Sequence, residues 1–204
     1  NEVDADQPGD DTMEFIELMN VGGSELMLDE GWRIDVFNGA NGLLKDSWTF
    51  SNAPVLGSGQ MALIGNSLVV DAAPDGVDTI EAPEGFVEND QESIAIYRWD
   101  GPSQDWIFVD AVAWGEVPSS GPGEGSQAPM DDPTGEMSIG RCPNGQDTDD
   151  NATDFSQMPP SPGQVNICEV GGNPPIEGPG GGGPDDPSGP GNPGDGPSEL
   201  PGDP

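Results

Sequence analysis

Short apolar runs separated by turn residues organise residues 1–170. Met13–Met19 is a brief stretch rich in β-favouring side chains, ending at Asn20 with Gly22-Gly23 behind it. Trp32, Ile34 and Val36 alternate with Arg33, Asp35 and Phe37 until Asn38-Gly39 breaks the run. Trp48-Thr49-Phe50 is a further short stretch, and Met61–Ile64 lies between Gly57-Ser58-Gly59 and Gly65-Asn66. Ile94–Tyr97 and Ile107–Val112 flank Asp100-Gly101-Pro102, which is a hairpin signal. No window of helical length keeps an i, i+3, i+4, i+7 apolar face free of Gly and Pro, so strands and no helices are expected. Several short strands at this spacing predict an all-β sandwich or barrel. No internal repeat is visible.

The pattern stops at Gly171. Residues 171–204 have Gly or Pro at most positions, no Lys, Arg or aromatic residue, and only Ile176 and Leu200 as sizeable apolar groups. Such a segment buries too little surface to offset the entropy of ordering. The expected organisation is a β domain over 1–170 followed by a disordered, acidic Gly/Pro-rich linker or stalk over 171–204.

Charge narrows the partners. The chain has 39 acidic residues against four basic ones (Arg33, Lys45, Arg98 and Arg141), for a net charge of -35. Nucleic-acid binders need Lys and Arg to displace counterions, and anionic lipid headgroups repel such a surface. Nucleic acid and membrane insertion are therefore not expected, which leaves a protein or a glycan as partner. Histidine is absent, which removes the common general base near neutral pH and the Ser-His and Cys-His nucleophile pairs. Any catalysis would have to rest on carboxylates or on metals they hold, and no enzymatic role is expected.

Cys142 and Cys168 belong to no C-x-x-C pair, so they do not suggest zinc or thioredoxin-like chemistry. An even count in a chain that reads as exported predicts one disulfide, which stabilises by about 3–4 kcal/mol in the chain-entropy model. No signal peptide or bilayer-length apolar run is present, and the start at Asn1 reads as a processed or trimmed product. The expected setting is extracellular or at a cell surface, within a larger surface protein.

Several pieces recur in a recognisable order. The chain opens Asn1-Glu2-Val3-Asp4-Ala5-Asp6, passes a Gly/Asp loop, and continues Glu14-Phe15-Ile16-Glu17-Leu18-Met19-Asn20. Leu28-Asp29-Glu30-Gly31-Trp32-Arg33-Ile34, Leu56–Gln60 and Asp110-Ala111-Val112-Ala113-Trp114-Gly115 follow. Ser138-Ile139-Gly140-Arg141, Asp147–Asn151, Asp154-Phe155 and Ser161–Asn166 complete the series. This order resembles the bacterial, secreted version of the lamin tail domain, over about residues 1–168. The resemblance implies an immunoglobulin-like β-sandwich serving as an accessory module in a surface or exported protein. It brings no catalytic residues, and the near absence of basic residues sets aside the DNA association of nuclear lamin tails.

Three groups of residues could carry chemistry. Asp4, Asp6, Asp10, Asp11 and Glu14 crowd one loop, with Gly9 allowing a tight turn. Calcium needs six to eight oxygens at about 2.3–2.6 Å, and this loop supplies several. Its spacing is not that of an EF-hand, since the twelfth position from Asp4 is Phe15. Asp147, Asp149 and Asp150, with Asn151 and Asp154, form a second acidic stretch just past Cys142, where a disulfide would hold it rigid. Asp and Asn also cap backbone N–H groups in turns. Arg141 is expected to pair with a nearby carboxylate, and Asn151-Ala152-Thr153 matches the N-glycosylation acceptor pattern. Finally, Trp99 and Trp106 should sit opposite each other across the hairpin, either as a stabilising pair or as a stacking surface for sugar rings. Trp32, Trp48 and Trp114 read as core.

These features predict a non-catalytic extracellular accessory or adhesion-type module, calcium-stabilised and tethered by its tail. The alternatives are a calcium-assisted carbohydrate-binding module and a carboxylate-metal hydrolase or nuclease fragment.

Overall fold

A computed structural model describes residues 1–130 and 136–168. The expected disordered tail, 171–204, lies outside the described residues. The strands are β1 (Glu2–Asp4), β2 (Phe15–Met19), β3 (Leu26–Met27), β4 (Trp32–Asn38), β5 (Leu43–Thr49), β6 (Val55–Leu56) and β7 (Met61–Gly65). Helix α1 (Ser67–Ala72) precedes β8 (Asp78–Glu81), β9 (Glu92–Asp100), β10 (Asp105–Trp114) and β11 (Ser138–Arg141). Helix α2 (Asn151–Asp154) leads into β12 (Phe155–Met158).

The strands form a six-stranded sheet ordered β12-β11-β1-β2-β7-β8, a four-stranded sheet ordered β10-β9-β4-β5, and the small β3-β6 pair. The larger sheet is antiparallel except at β7–β8, which run parallel. The four-stranded sheet is antiparallel throughout. Both sheets feed one core: Val3, Ile16, Leu18, Ile64 and Ile139 from the first meet Ile34, Val36, Ile94, Val112 and Trp114 from the second. Each large apolar side chain buried this way contributes about 1.5–3 kcal/mol.

The absence of helices expected from the sequence is corrected here, because two short ones occur. Helix α1 opens where the Val70 N–H donates to the Asn66 carbonyl at 3.0 Å. Its buried residue Val69 packs with Phe15 and Leu63 in a second small core. Gly65 makes this approach possible, since a Cβ there would lie 3.1 Å from Val69 Cβ. One turn with a single buried contact leaves no amphipathic period to read.

This second core also explains why β2 does not alternate. Residues Phe15, Ile16, Glu17 and Leu18 are all buried: Ile16 and Leu18 enter the main core, whereas Phe15 packs with α1. Glu17 is covered by the segment after β12, whose Gly163 N–H donates to Glu17 Oε2 at 2.8 Å.

Candidate functional site

Arg141, at the end of β11, is a buried cation in a crowd of carboxylates. Its Nη2 lies 2.7 Å from Asp110 Oδ1 in β10 and 3.9 Å from Glu124 Oε2. Its Nη1 lies 3.2 Å from Asp147 Oδ1 and 3.5 Å from Asp154 Oδ2. The same Nη1 donates to the Gln146 carbonyl, and the guanidinium stacks 4.9 Å from the centre of the Phe155 ring. The expected pairing of Arg141 with a neighbouring carboxylate is present, with four partners in place of one.

The carboxylates differ in how they are held. Asp154 is buried and accepts hydrogen bonds from Thr148 N (2.8 Å), Thr148 Oγ1 (2.9 Å) and Gln146 Nε2 (3.1 Å). Burial pushes its pKa up, but these donors and Arg141 outweigh that and hold it below the ordinary carboxylate value. Glu124 is the opposite case: its side chain is 8% exposed, and its Oε2 is buried without a hydrogen-bond partner. Burial first, then the Asp110 charge, a carboxyl–carboxylate hydrogen bond with Asp110 and the Asp147 charge, push its pKa up to about 8 against the pull of Arg141. Among the described residues, Asp110, Glu124 and Asp147 bring carboxylate oxygens within 4.8 Å of one another and could hold a metal ion.

Asn151 builds this arrangement. Its backbone N–H donates to the Glu124 carbonyl at 2.9 Å, and its Oδ1 accepts from Glu124 N at 3.1 Å. The same Oδ1 accepts from Ala113 N at 3.1 Å, and Nδ2 donates to the Ala111 carbonyl at 2.8 Å. One side chain therefore clamps the Glu124 loop to the inner end of β10. Asn151 is wholly buried, so the glycosylation pattern at 151–153 is overturned as a modification site and becomes a structural motif.

Of the second acidic stretch, Asp147 and Asp154 join the cluster around Arg141. Asp150 caps backbone instead, its Oδ1 accepting from Ser126 N at 2.8 Å and its Oδ2 from Thr153 Oγ1 at 3.2 Å. Asp149 is exposed, in the left-handed region at φ 57°. Its N–H donates to Asp147 Oδ1 at 3.2 Å. Asp110 and Glu124 are the residues that sequence reasoning missed. Asp110 reads as one polar position in a strand and Glu124 as part of a Gly/Pro loop, and neither spacing links them to Asp147.

The first acidic loop is arranged around amides. Gln7 Nε2 donates to Asp4 Oδ1 at 3.0 Å, and Gln7 N to Asp11 Oδ1 at 3.2 Å. Asn89 Nδ2 reaches Asp6 Oδ1 at 3.2 Å and Asp11 Oδ2 at 2.9 Å. Asp10 is exposed, and Gly9 has the positive φ of 100° expected for the turn. Glu14 turns elsewhere, accepting from Gly85 N at 2.7 Å. Its burial pushes the carboxyl up to about 7.

On the hairpin, Trp106 pairs in register with Trp99 as the sequence predicts. The rings meet edge to face, with centroids 5.5 Å apart and planes at 65°. Arg33 lies 4.5 Å from the Trp106 ring centre and 5.0 Å from that of Tyr97. The pair is thus not a flat stacking platform. Beside it, Trp99, Ile107, Phe108 and Val109 are each more than two-fifths exposed. A bulge between Phe108 and Asp110 interrupts the alternation there. Trp114 is fully buried, and Trp32 and Trp48 pack against the core as expected.

Between hairpin and cluster runs a groove of about 250 Å³, walled by Leu26, Trp32, Ile96 and Val109 and bordered by Asp110 and Asp147. Cys142 and Cys168 form the predicted disulfide, with Cα atoms 5.5 Å apart. No described helix is long and apolar enough to cross a membrane. No protein-family model matches the sequence, and no curated protein matches it.

Proposed function

We propose that this chain is a non-catalytic, extracellular accessory module of the adhesion type, calcium-stabilised and built as an immunoglobulin-like, lamin-tail-like sandwich. The observation that carries this reading is the exposed apolar band at Trp99, Ile107, Phe108 and Val109 on a hairpin rooted in the core. Four exposed apolar side chains near one hairpin end of an otherwise acidic molecule mark a candidate docking edge. The edge strand β10 carries three of these residues. The partner is a protein surface with apolar residues at its centre and basic residues at its rim, matching a chain whose net charge is -35. Two sheets over one core and the order of sequence pieces named above support the lamin-tail likeness. The disulfide supports the extracellular setting.

Beads coated with the full chain provide the test, measured for adhesion to intact cells. Adhesion should survive periodate treatment of the cells and be lost after trypsin. It should fall at least about tenfold in the Ile107→Ser/Phe108→Ser double variant, the equivalent of about 1.4 kcal/mol. Loss to periodate, together with loss in Trp99→Ala, would favour the calcium-assisted carbohydrate-binding reading instead. Hydrolysis of a phosphodiester in Mg²⁺ or Mn²⁺ would overturn the non-catalytic reading in favour of the hydrolase.

A further inference from the structure

The Arg141 cluster carries more charge than its one cation balances. Asp110, Glu124, Asp147 and Asp154 surround a single guanidinium. With every group ionised the cluster holds three uncompensated negative charges, four carboxylates less one guanidinium. Glu124 and Asp154 are the buried members, while Asp110 and Asp147 keep contact with solvent, and a buried carboxylate needs a partner.

Two independent observations converge on one point within the cluster. Oxygens of Asp110, Glu124 and Asp147 lie within 4.8 Å of one another. That spread is small enough for one ion to sit among all three, at or slightly beyond a calcium–oxygen distance of about 2.3–2.6 Å, with small side-chain shifts closing the rest. Separately, Glu124 Oε2 is buried and accepts no hydrogen bond, on a side chain only 8% exposed. Arg141 does not satisfy it, because Nη2 at 3.9 Å is beyond hydrogen-bond range. An acceptor buried and left without a donor ordinarily costs about 1–3 kcal/mol, and a cation removes that cost.

We propose that Asp110, Glu124 and Asp147 form a calcium site, with Glu124 as its buried anchor and Asp147 as its solvent-facing ligand. The proposal rests on the calcium-stabilised reading above and names the place where that ion sits. Asp147 is 41% exposed, so an ion enters from solvent past it. The adjoining groove has room for the waters that complete six to eight ligands. Calcium suits the set better than magnesium, which demands near-octahedral geometry at about 2.0–2.1 Å. Arg141 pairs with Asp110 Oδ1 at 2.7 Å and Asp147 Oδ1 at 3.2 Å. Arg141 is thus a positioning residue that holds two ligands in place. Asn151 is another, because it clamps the Glu124 backbone from both sides.

The test uses the full chain stripped with EDTA and titrated with CaCl₂ by calorimetry, with thermal unfolding alongside in NaCl of matched ionic strength. Wild type should bind calcium, with a higher unfolding midpoint than in NaCl. Glu124→Gln keeps the shape and the neutral form, so it should fold and bind calcium at least about tenfold more weakly. Asp147→Asn, at an exposed position, should weaken binding in the same direction. Calcium binding undiminished in both variants would overturn this site and leave the calcium-stabilised module standing, with its ion elsewhere. No calcium response beyond NaCl in wild type would overturn both.

Discussion

Glu2 and Glu17 stand directly opposite each other across the β1–β2 ladder, two like-charged residues in register and both buried. Each is held by donors from a different element. Glu2 Oε1 accepts from Ser138 Oγ at 2.6 Å and Ser161 N at 2.9 Å, and Oε2 from Ser161 Oγ at 2.8 Å. Glu17 Oε1 accepts from Asn1 Nδ2 at 2.6 Å and Oε2 from Gly163 N. The pair pins the segment after β12 onto the outer face of the larger sheet.

Replacing Glu2 by Ala removes the acceptor of three hydrogen bonds, leaving Ser161 N and Oγ unpaired while Ser138 Oγ keeps the Met158 carbonyl at 3.2 Å. Hydrogen bonds to a charged group are worth about 1.5–3 kcal/mol each, and buried donors left unpaired add to the loss. Glu2→Ala should cost about 3 kcal/mol or more, read from the midpoint of urea unfolding. A loss below about 1 kcal/mol would mean that the segment is held by other contacts.

Acidity should stabilise this protein across a range where most proteins are indifferent. Burial pushes Glu14, Glu17 and Glu92 up to about 7 and Glu124 up to about 8, from an ordinary 4.5. For groups raised in the folded state, the stabilisation is complete below the unfolded value and is lost as pH rises through the folded one. In EDTA the unfolding midpoint should therefore be higher near pH 5.5 than near pH 8.5, by about 5 °C or more. Asp154 and the Asn1 amino group have the opposite sign: the lowered pKa of Asp154 gives stability that disappears as pH falls through that value, and burial holds the amino group below its ordinary 8.0, so its share grows as pH rises toward that value. Glu17→Gln should flatten the profile between pH 5.5 and 8.5, about as expected for removing one titrating group. A midpoint that climbs steadily with pH over this range would refute the assignment.

Gly39 is a position where no side chain fits. A Cβ there would lie 2.3 Å from the Gln91 carbonyl oxygen, a backbone atom with no freedom to yield. The Gly39 N–H also donates to that carbonyl at 3.1 Å. Gly39→Ala should destabilise by about 2–4 kcal/mol, measured by thermal unfolding. Near-wild-type stability would show that the turn can open without loss.

The Trp99–Trp106 pair should show a measurable coupling. Cross-strand aromatic pairs contribute about 0.2–1 kcal/mol, and Trp106 also carries the Arg33 stack. Trp106→Ala should therefore cost more than Trp99→Ala. A double-mutant cycle should return a coupling of about 0.5 kcal/mol. Loss of the indole exciton signal in circular dichroism should accompany either change.

What the sequence made legible follows from range. The β9–β10 hairpin could be read because its strands and its Asp100-Gly101-Pro102 tip are adjacent in the chain, which also set Trp99 against Trp106. The pairing of Cys142 with Cys168 needed only their number. Strands β1, β11 and β12 escaped notice because each is short and stabilised by partners distant in sequence. The cation cluster was half visible through Asp147 and Asp154. Its other members come from a strand and from a Gly-rich loop, and they meet through Asn151, whose sequence context suggested a sugar attachment point. Local pattern reports which residues like to be extended. It does not report which loop a buried asparagine will fasten.

The Cys142–Cys168 bridge has a mechanical meaning. Tension applied through residues beyond Cys168 enters the sandwich at the bridge and passes directly to Cys142, beside β11. The intervening stretch, with α2, β12 and Asp147, is a closed covalent loop that bears none of the load. Force would instead fall on the β1–β11 ladder, whose rupture becomes the first event in extension. Pulled at that end, the module should therefore give way in the sheet while the carboxylate-bearing loop stays bridged, and reduction of the bridge would let the pull reach that loop first.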